Sequence, residues 1–379
     1  MSRPLRASSS IGAALALGLL VLPTTGCVPS RGGWAGDAFV RDRPELAAIA
    51  GQRLADMVPV PALVLEALDE RGGEPIDGAR AGGADGGRTV SPPRVRLVAC
   101  RFEPGASIRV RAGGAGWDEA IGAVVLDAFG REVERFGLVA ARVDAAPAEI
   151  EIEAFVGQGG GAPVGLGDTL IECDVESDRL GAGPRAVRGR IRRAEIRMRR
   201  SAIDPAGRLQ TASDAAWAGA LLHELAHALG FAGHAASGAS VLVRDEFVLT
   251  QIGRRVLSGE ALTDPTLAAL HRLAPGELLA TRPLDESAGV FLEAIRSLDR
   301  ARRAAGHARV AVVASVGDRE ARWSIRYADG RRLGLRFPGW GERLRTGRPL
   351  FVWPDRETLA AIEEAGLLER GSKTSASSP

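Results

Sequence analysis

The sequence predicts an α+β fold in which a twisted mixed sheet packs against one helix that carries the chemistry, followed by a small C-terminal extension rich in α and β structure. Three observations lead to this prediction. Segments in which apolar and polar residues alternate are typical of half-buried strands, and segments with apolar residues three and four apart are typical of amphipathic helices. Both kinds recur along the 379 residues. In addition, three of the five histidines fall close together, on or just after one predicted helix.

The first residues have the composition of an export signal. Arg3 and Arg6 precede an apolar run at residues 11–22, which is too short to cross a membrane as a helix. Cys27 follows small residues and resembles the lipidated cysteine of bacterial lipoproteins, although Thr24 stands where their motif usually has leucine. We therefore predict an exported protein of the cell envelope, anchored to the membrane by a lipid on Cys27 and facing the periplasm or the exterior. The alternatives are secretion after ordinary cleavage and an uncleaved anchor.

Composition divides the chain into segments. Residues 44–58 and 61–68 have apolar residues at helical spacing, and a run of glycine, alanine and proline follows them. The C-terminal region either acts as an accessory module or completes the fold. The predicted divisions are a signal peptide at 1–26, a helical or stalk segment at 27–71, a linker at 72–93, a central domain at 94–275 that contains the three close histidines, an accessory region at 276–370 and a disordered tail at 371–379.

Periodicity predicts the elements of the central domain. Residues 117–133 form an amphipathic helix with Ile121, Val125 and Phe129 on one face. Residues 191–200 alternate between an apolar face and a face of glutamate and arginine, which predicts a strand with one wet side. The other predicted strands span residues 95–100, 108–111, 136–143 and 149–156, and a glycine-rich loop and a polar stretch follow them up to residue 188.

Capping residues and turns predict the elements that follow. Ser213 or Asp214 begins a helix that Gly230 ends. The remaining predictions are a helix at 263–273 capped by Thr263, a helix at 286–305, and a β-hairpin whose strands, 323–327 and 333–337, flank an Asp-Gly pair.

Charge and cysteine content narrow the class of protein. The net charge is only +2, and almost all the basic residues are arginine, which gives little support to a nucleic-acid partner. With Cys27 assigned to the lipid anchor, Cys100 and Cys173 form an even pair in an oxidising compartment. A disulfide between them and two buried free thiols are equally compatible with the sequence. Nothing in the sequence indicates an oligomeric state.

The stretch LHELAHALGFAGH, residues 222–234, predicts a metal site. His223 and His227 are four residues apart, so on a helix their imidazoles lie one turn apart on one face and reach the same ion. Glu224 lies on the adjacent flank, where it can accept a proton from a water molecule bound to that ion without being a ligand itself. The pattern therefore predicts zinc at His223 and His227, with Glu224 as the general base.

HELAHALGFAGH resembles the signature HExxHxxGxxH of the metzincin clan of zinc metallopeptidases and is most similar to its matrixin-like and astacin-like members. The resemblance implies one catalytic zinc ion, and it implies that Gly230 turns the chain so that a third histidine completes the site. In this chain Gly233 stands at the family's position for that histidine, and His234 follows it. We predict that a bulge at residues 232–233 absorbs the extra residue and that His234 is the third ligand.

Two further expectations come from the resemblance. The family has a methionine in a turn beneath the metal, whereas every methionine here precedes the motif, and Leu242 is expected in its place. The family's edge strand above the cleft pairs with an extended substrate, which assigns that role to residues 191–200. Arg197 or Arg199 then favours acidic side chains on the substrate, and a merely solvated arginine face is the alternative.

The sequence thus predicts an exported zinc endopeptidase that hydrolyses peptide bonds in a protein or peptide substrate. The alternative function is that of an inactive metzincin-like envelope lipoprotein, a binding or structural module, which the displaced histidine and the absent methionine favour. The alternative third ligands are Asp245 and Glu246, ahead of His271 and His307.

Overall fold

The computed structural model describes residues 60–65, 93–145, 147–156, 166–177, 187–203, 207–235, 240–316 and 320–367. Within these residues the chain forms a large mixed sheet and seven helices, so the predicted combination of a mixed sheet with helices is confirmed. The strands are β1 Pro61–Leu65, β2 Arg94–Arg101, β3 Ser107–Gly113, β4 Val139–Arg142, β5 Ile150–Val156, β6 Gly167–Ser177, β7 Val187–Ile203, β8 Leu209–Thr211, β9 Leu278–Pro283, β10 Arg309–Val316, β11 Glu320–Tyr327, β12 Arg332–Pro338 and β13 Trp353–Pro354. The helices are α1 Glu119–Glu134, α2 Asp214–Ala228, α3 Glu246–Leu257, α4 Pro265–Leu270, α5 Ala288–Ala304, α6 Trp340–Thr346 and α7 Arg356–Glu364.

Several predictions fall outside the described residues. They are the signal peptide at 1–26, the lipidated Cys27, the helix at 44–58, nearly all of the linker at 72–93 and the tail at 371–379. In the part of the chain that is described, no helix is both long enough and apolar enough to cross a membrane.

The sheet is mixed because parallel and antiparallel strands meet at β7. Its strands follow the order β13, β12, β11, β10, β6, β7, β5, β3, β4, while β2 joins β7 from the side and also pairs with β1 and β9. Strands β3, β4, β5 and β7 run parallel, and β6 runs antiparallel between β7 and β10. Strand β9 pairs with β2 and β10 with β6, so the C-terminal region is hydrogen-bonded into the same sheet.

The segment Pro61–Leu65 corrects one prediction, because it is strand β1 and not part of a helix. All five residues are buried, and they pair antiparallel with β2. The error has a physical cause. The sequence PALVL is apolar at every position, so it satisfies the spacing of a helix and the alternation of a strand equally well. Only the pairing partner decides between them.

Strand β6 lies in a polar stretch where the sequence predicts no strand. Ile171 and Cys173 face the core, whereas Glu172 forms an ion pair of 3.0 Å with Arg326 of the hairpin. Two acidic residues of β6, Glu172 and Asp174, are therefore paired with arginines of other strands, and this pairing cannot be recognised from local composition.

The later elements largely follow the predictions. The hairpin is confirmed, with β11 and β12 paired antiparallel on either side of the Asp-Gly turn. Helix α4 begins at Pro265, and its N-cap is Asp264 rather than Thr263. The carboxylate of Asp264 accepts hydrogen bonds from the backbone N–H groups of Thr266 and Leu267, which an aspartate at this position does well.

Candidate metal centre

Helix α2 lies inside the molecule. Ser213, one of the two caps that the sequence allows, begins it by accepting a hydrogen bond from the backbone N–H of Ala216. Every residue from Ala216 to Ala228 is buried. A helix that is apolar almost all round packs on every side, so any polar side chain on it must find its partners within the protein. The three polar side chains of this buried stretch are His223, Glu224 and His227.

Gly230 turns the chain at the end of α2. Its φ is +100°, in the region that favours glycine, and a Cβ atom built on it would lie 2.3 Å from the carbonyl oxygen of Cys100. The prediction that Gly230 ends the helix and turns the chain is therefore confirmed. The chain then bends at Gly233 and returns to the helix, which brings His234 back toward the two helical histidines.

Three histidines converge in the interior. The ligand nitrogens of His223, His227 and His234 all lie within 4.8 Å of one another, and the three residues are 4%, 8% and 5% exposed. The Nε2 atoms of His223 and His227 are 3.1 Å apart. These three residues, the histidine triad, are close enough together to bind one metal ion.

Backbone carbonyls orient two members of the triad. His223 Nδ1 lies 2.6 Å from the carbonyl oxygen of Val241, and His227 Nδ1 lies 2.5 Å from that of Phe231. Because a carbonyl only accepts hydrogen bonds, each Nδ1 carries the proton, and the lone pair of each imidazole is on Nε2. Histidines that ligate metals are fixed in this way by a partner on the other ring nitrogen.

His234 provides the test of whether a metal fits. Both of its ring nitrogens are buried, and neither has a hydrogen-bond partner among the described residues. Burying such a polar atom without a partner costs about 1–3 kcal/mol. An ion shared with the other two imidazoles satisfies one of these nitrogens, so the donor set fits a metal that prefers nitrogen ligands.

Burial keeps the imidazoles of His223 and His234 neutral. It is the main cause that lowers the pKa of His223 to about 3, with a second contribution from His227, and it also lowers the pKa of His234. The positive charge of Arg244 contributes to both shifts. Neutral imidazoles are the form that binds a metal, so the site needs no deprotonation at neutral pH.

We expect the metal-free protein to lose stability as the pH falls below about 6.5, the pKa of histidine in an unfolded chain. Between that pH and about 3, His223 takes up a proton in the unfolded chain but not in the folded protein, so acid favours unfolding. Urea unfolding in a chelator at about pH 7.5 and about pH 5.5 measures the effect. The urea concentration at the midpoint of unfolding should be lower at about pH 5.5 than at about pH 7.5. This difference should be smaller in a His234→Gln variant. An unchanged or higher midpoint in acid contradicts the burial of neutral imidazoles.

Glu224 is held by strand β6. Its side chain is buried, and the hydroxyl of Thr169 donates to its Oε2 atom at 2.6 Å and also lies 3.2 Å from its backbone carbonyl oxygen. Gly167 packs directly on the glutamate, since a Cβ atom there would lie 2.5 Å from Glu224 Cγ. The sequence gives no sign of these two residues, because the strand that carries them is not recognisable by its composition.

The alternative ligands are not brought to the triad within the described part of the chain. Asp245 and Glu246 are exposed at the start of α3, where Asp245 caps the helix. His271 stacks on Phe136 with ring centroids 4.1 Å apart and contacts Arg101. His307 pairs with Asp329 at 3.1 Å.

Leu242 belongs to the buried loop Ser240–Val243, which lies beside the triad. Its backbone carbonyl accepts a hydrogen bond of 2.7 Å from the N–H of Ala235, the residue after His234. Its side chain is fully buried. A leucine therefore stands in the core of the loop where the resemblance leads one to expect methionine.

The edge-strand role predicted for residues 191–200 is wrong. These residues belong to β7, which is paired with β5 on one side and β6 on the other. Residues 194–198 have a paired strand on each side, so this stretch is not an edge, and the argument that made Arg197 and Arg199 substrate contacts does not hold. The error arose because the role was carried over from the family's edge strand, whereas the alternation of residues 191–200 shows only which face of the strand is wet and not whether its edge is open.

Cys100 and Cys173 form a disulfide, one of the two possibilities that the sequence left open. Their Cα atoms are 6.1 Å apart, and the bond joins β2 to β6. It thereby ties the strand that packs on Gly230 to the strand that holds Glu224.

Comparisons with known proteins do not assign a family: no protein-family model matches the sequence, and a search of curated proteins finds no match. The chemistry must therefore be inferred from the residues of the site. Those residues are three buried imidazoles that converge on one point and a carboxylate on the same helix as two of them.

Proposed function

We propose that this protein is an exported zinc-dependent endopeptidase with a metzincin-like site, lipid-anchored through Cys27. The observation that carries the proposal is the histidine triad, in which one buried imidazole has no hydrogen-bond partner among the described residues. Glu224 on the same helix adds the carboxylate that hydrolysis needs. The export signal and the lipid anchor rest on the sequence pattern at residues 1–27 alone.

The ligand set favours a catalytic zinc ion. Structural zinc sites are closed by four protein ligands, whereas catalytic sites have three and leave a position for water or substrate. In the described ranges the triad is a group of three, with no further histidine, cysteine or carboxylate joining it. Three histidines are also the ligand set of several zinc hydrolases and lyases.

Each residue of the site has its own role in the proposed hydrolysis. Bound zinc supplies Lewis-acid activation of a water molecule and of the substrate carbonyl. Glu224 accepts the proton of the attacking water on its carboxylate and later passes it to the leaving amine. Thr169 fixes the orientation of this carboxylate through Oε2. The carbonyls of Val241 and Phe231 keep the imidazoles in the required tautomer.

The first residues of β6, Gly167 to Leu170, lie beside the proposed general base. This stretch is the part of β6 that contacts Glu224. Within the proposed function, Gly167 and Thr169 therefore set the position of the Glu224 carboxylate.

Replacing Glu224 by Gln is expected to leave zinc content unchanged and to lower hydrolysis of a denatured protein substrate by about 10²–10⁴-fold, the usual contribution of a general base. Gln keeps the shape of the side chain but cannot accept the proton. Zinc is measured by elemental analysis and cleavage by release of labelled peptides. The matched control is Glu246→Gln, an exposed glutamate outside the triad, which should cleave like the wild type. Undiminished cleavage by the Glu224 variant shows that another group is the base.

The second candidate is an inactive module that keeps the fold and the metal. It is favoured by the leucine at position 242 and by the burial of Glu224, which is 3% exposed. Zinc-loaded wild-type protein that cleaves no member of a broad peptide library supports this candidate and contradicts the first.

A further inference from the structure

The loop Ser240–Val243 beside the triad is held by one buried carboxylate. Asp264, which is 1% exposed, accepts through Oδ2 from the Ser240 hydroxyl at 2.9 Å and from the backbone N–H of Val241 at 2.7 Å. The hydroxyl oxygen of Ser240 in turn accepts from the backbone N–H of Leu242 at 3.1 Å. The loop therefore has a polar anchor in addition to the packing of Leu242.

These bonds connect Asp264 to a ligand of the triad. The N–H of Leu242 and the carbonyl of Val241 belong to the same peptide unit, and that carbonyl accepts the hydrogen bond from His223 Nδ1. Hydrogen bonds therefore run in one direction, from His223 to the peptide unit, to the Ser240 hydroxyl and to the Asp264 carboxylate. Bonds in such a chain polarise and strengthen one another, and a charged acceptor at the end is the strongest kind.

Asp264 is itself fixed from two other directions. Its Oδ1 atom accepts from the N–H groups of Thr266 and Leu267 at the start of α4. Its backbone N–H donates to Glu132 of α1 at 3.0 Å, and Glu132 is buried as well. The loop is thus attached to two helices that do not belong to the metal site.

We propose that Asp264 is a positioning residue of the metal centre, which secures the Val241 carbonyl and through it the orientation and tautomer of His223. The inference rests on the proposed zinc site. It also explains how a loop that lacks the family's methionine keeps its shape, since hydrogen bonds to Asp264 hold its backbone at Val241 and Leu242.

Asp264→Asn separates this role from the capping of α4. The amide oxygen can still accept from Thr266 and Leu267, whereas the amide nitrogen replaces Oδ2 and cannot accept from Val241 or Ser240. We expect zinc to bind about 10–100-fold more weakly to the full-length variant, because this is the usual effect of losing a hydrogen-bond partner that orients a metal ligand. The dissociation constant is measured by competition with a chromophoric zinc chelator at neutral pH.

Asp299→Asn is the matched control. Asp299 is also a buried carboxylate, 2% exposed, and accepts from Tyr327 at 2.8 Å, but it lies in the C-terminal region. This substitution should destabilise the fold without changing the affinity for zinc. Ser240→Ala should weaken zinc binding, and Ser240→Thr, which keeps the hydroxyl, should restore it. The serine pair carries the test if Asp264→Asn does not fold.

The outcomes are distinct. Equal zinc affinity in wild type and Asp264→Asn overturns the role of Asp264, as does an equal loss in the Asp264 and Asp299 variants, which indicates a general effect of destabilisation. Wild-type protein that takes up no zinc contradicts the proposed function itself.

Discussion

Replacing His223 by alanine is expected to yield a folded protein that retains no stoichiometric zinc after dialysis. The substitution removes one of three imidazoles and leaves two, and catalytic zinc sites require three protein ligands. It also leaves the Val241 carbonyl without its donor. Elemental analysis of the purified protein gives the metal content, and circular dichroism confirms the fold.

His307→Ala is the control for this experiment. His307 pairs with Asp329 far along the chain from the triad, so its loss should leave one zinc ion per molecule. A His223 variant that keeps its full zinc content contradicts the assignment of the triad, because the metal must then have other ligands.

Removing the disulfide is expected to have the largest effect on stability. Cys100 and Cys173 are 73 residues apart in sequence, and a cross-link over a loop of that length stabilises the folded state by about 4 kcal/mol in the chain-entropy account. A double variant with alanine at both positions should therefore unfold at a much lower urea concentration. Both residues are fully buried, so the cavities left by the sulfur atoms add to the loss.

The control for this experiment is wild-type protein in which the disulfide has been reduced. Wild-type protein that is unfolded and refolded under reducing conditions should unfold at nearly the same urea concentration as the double variant. Any remaining difference should come from the cavities in the variant. Equal stability of oxidised wild type and double variant contradicts a structural role for the bond.

The site could be predicted from the sequence as far as local geometry determines it. Helix spacing places His223 and His227 on one face, Ser213 begins the helix, and the positive φ of Gly230 is what a glycine at a helix end indicates. His234 could be predicted as the third member of the triad in spite of its shifted position, because the short bend at Gly233 brings it back toward His223 and His227.

The partners of these residues could not be predicted, because they come from distant parts of the chain. Thr169, which donates a hydrogen bond to Glu224, lies on a strand with too many polar residues to show a clear alternation. Asp264, which binds the loop beside His223, lies at the start of another helix. The five apolar residues of β1 fit a helix and a strand alike until β2 is known as their partner. Pairing also decides which strand is an edge, and this corrected the role of β7.

X-ray absorption at the zinc edge of the metal-loaded protein tests the central claim most directly. We expect about three imidazole nitrogens at about 2.0–2.1 Å and one oxygen of water, the environment of a catalytic zinc ion. In His234→Ala the imidazole contribution should fall by one third or the metal should be lost, since His234 is one of three ligands. A spectrum with sulfur ligands, or one that is the same in wild type and His234→Ala, would contradict the histidine triad as the zinc site.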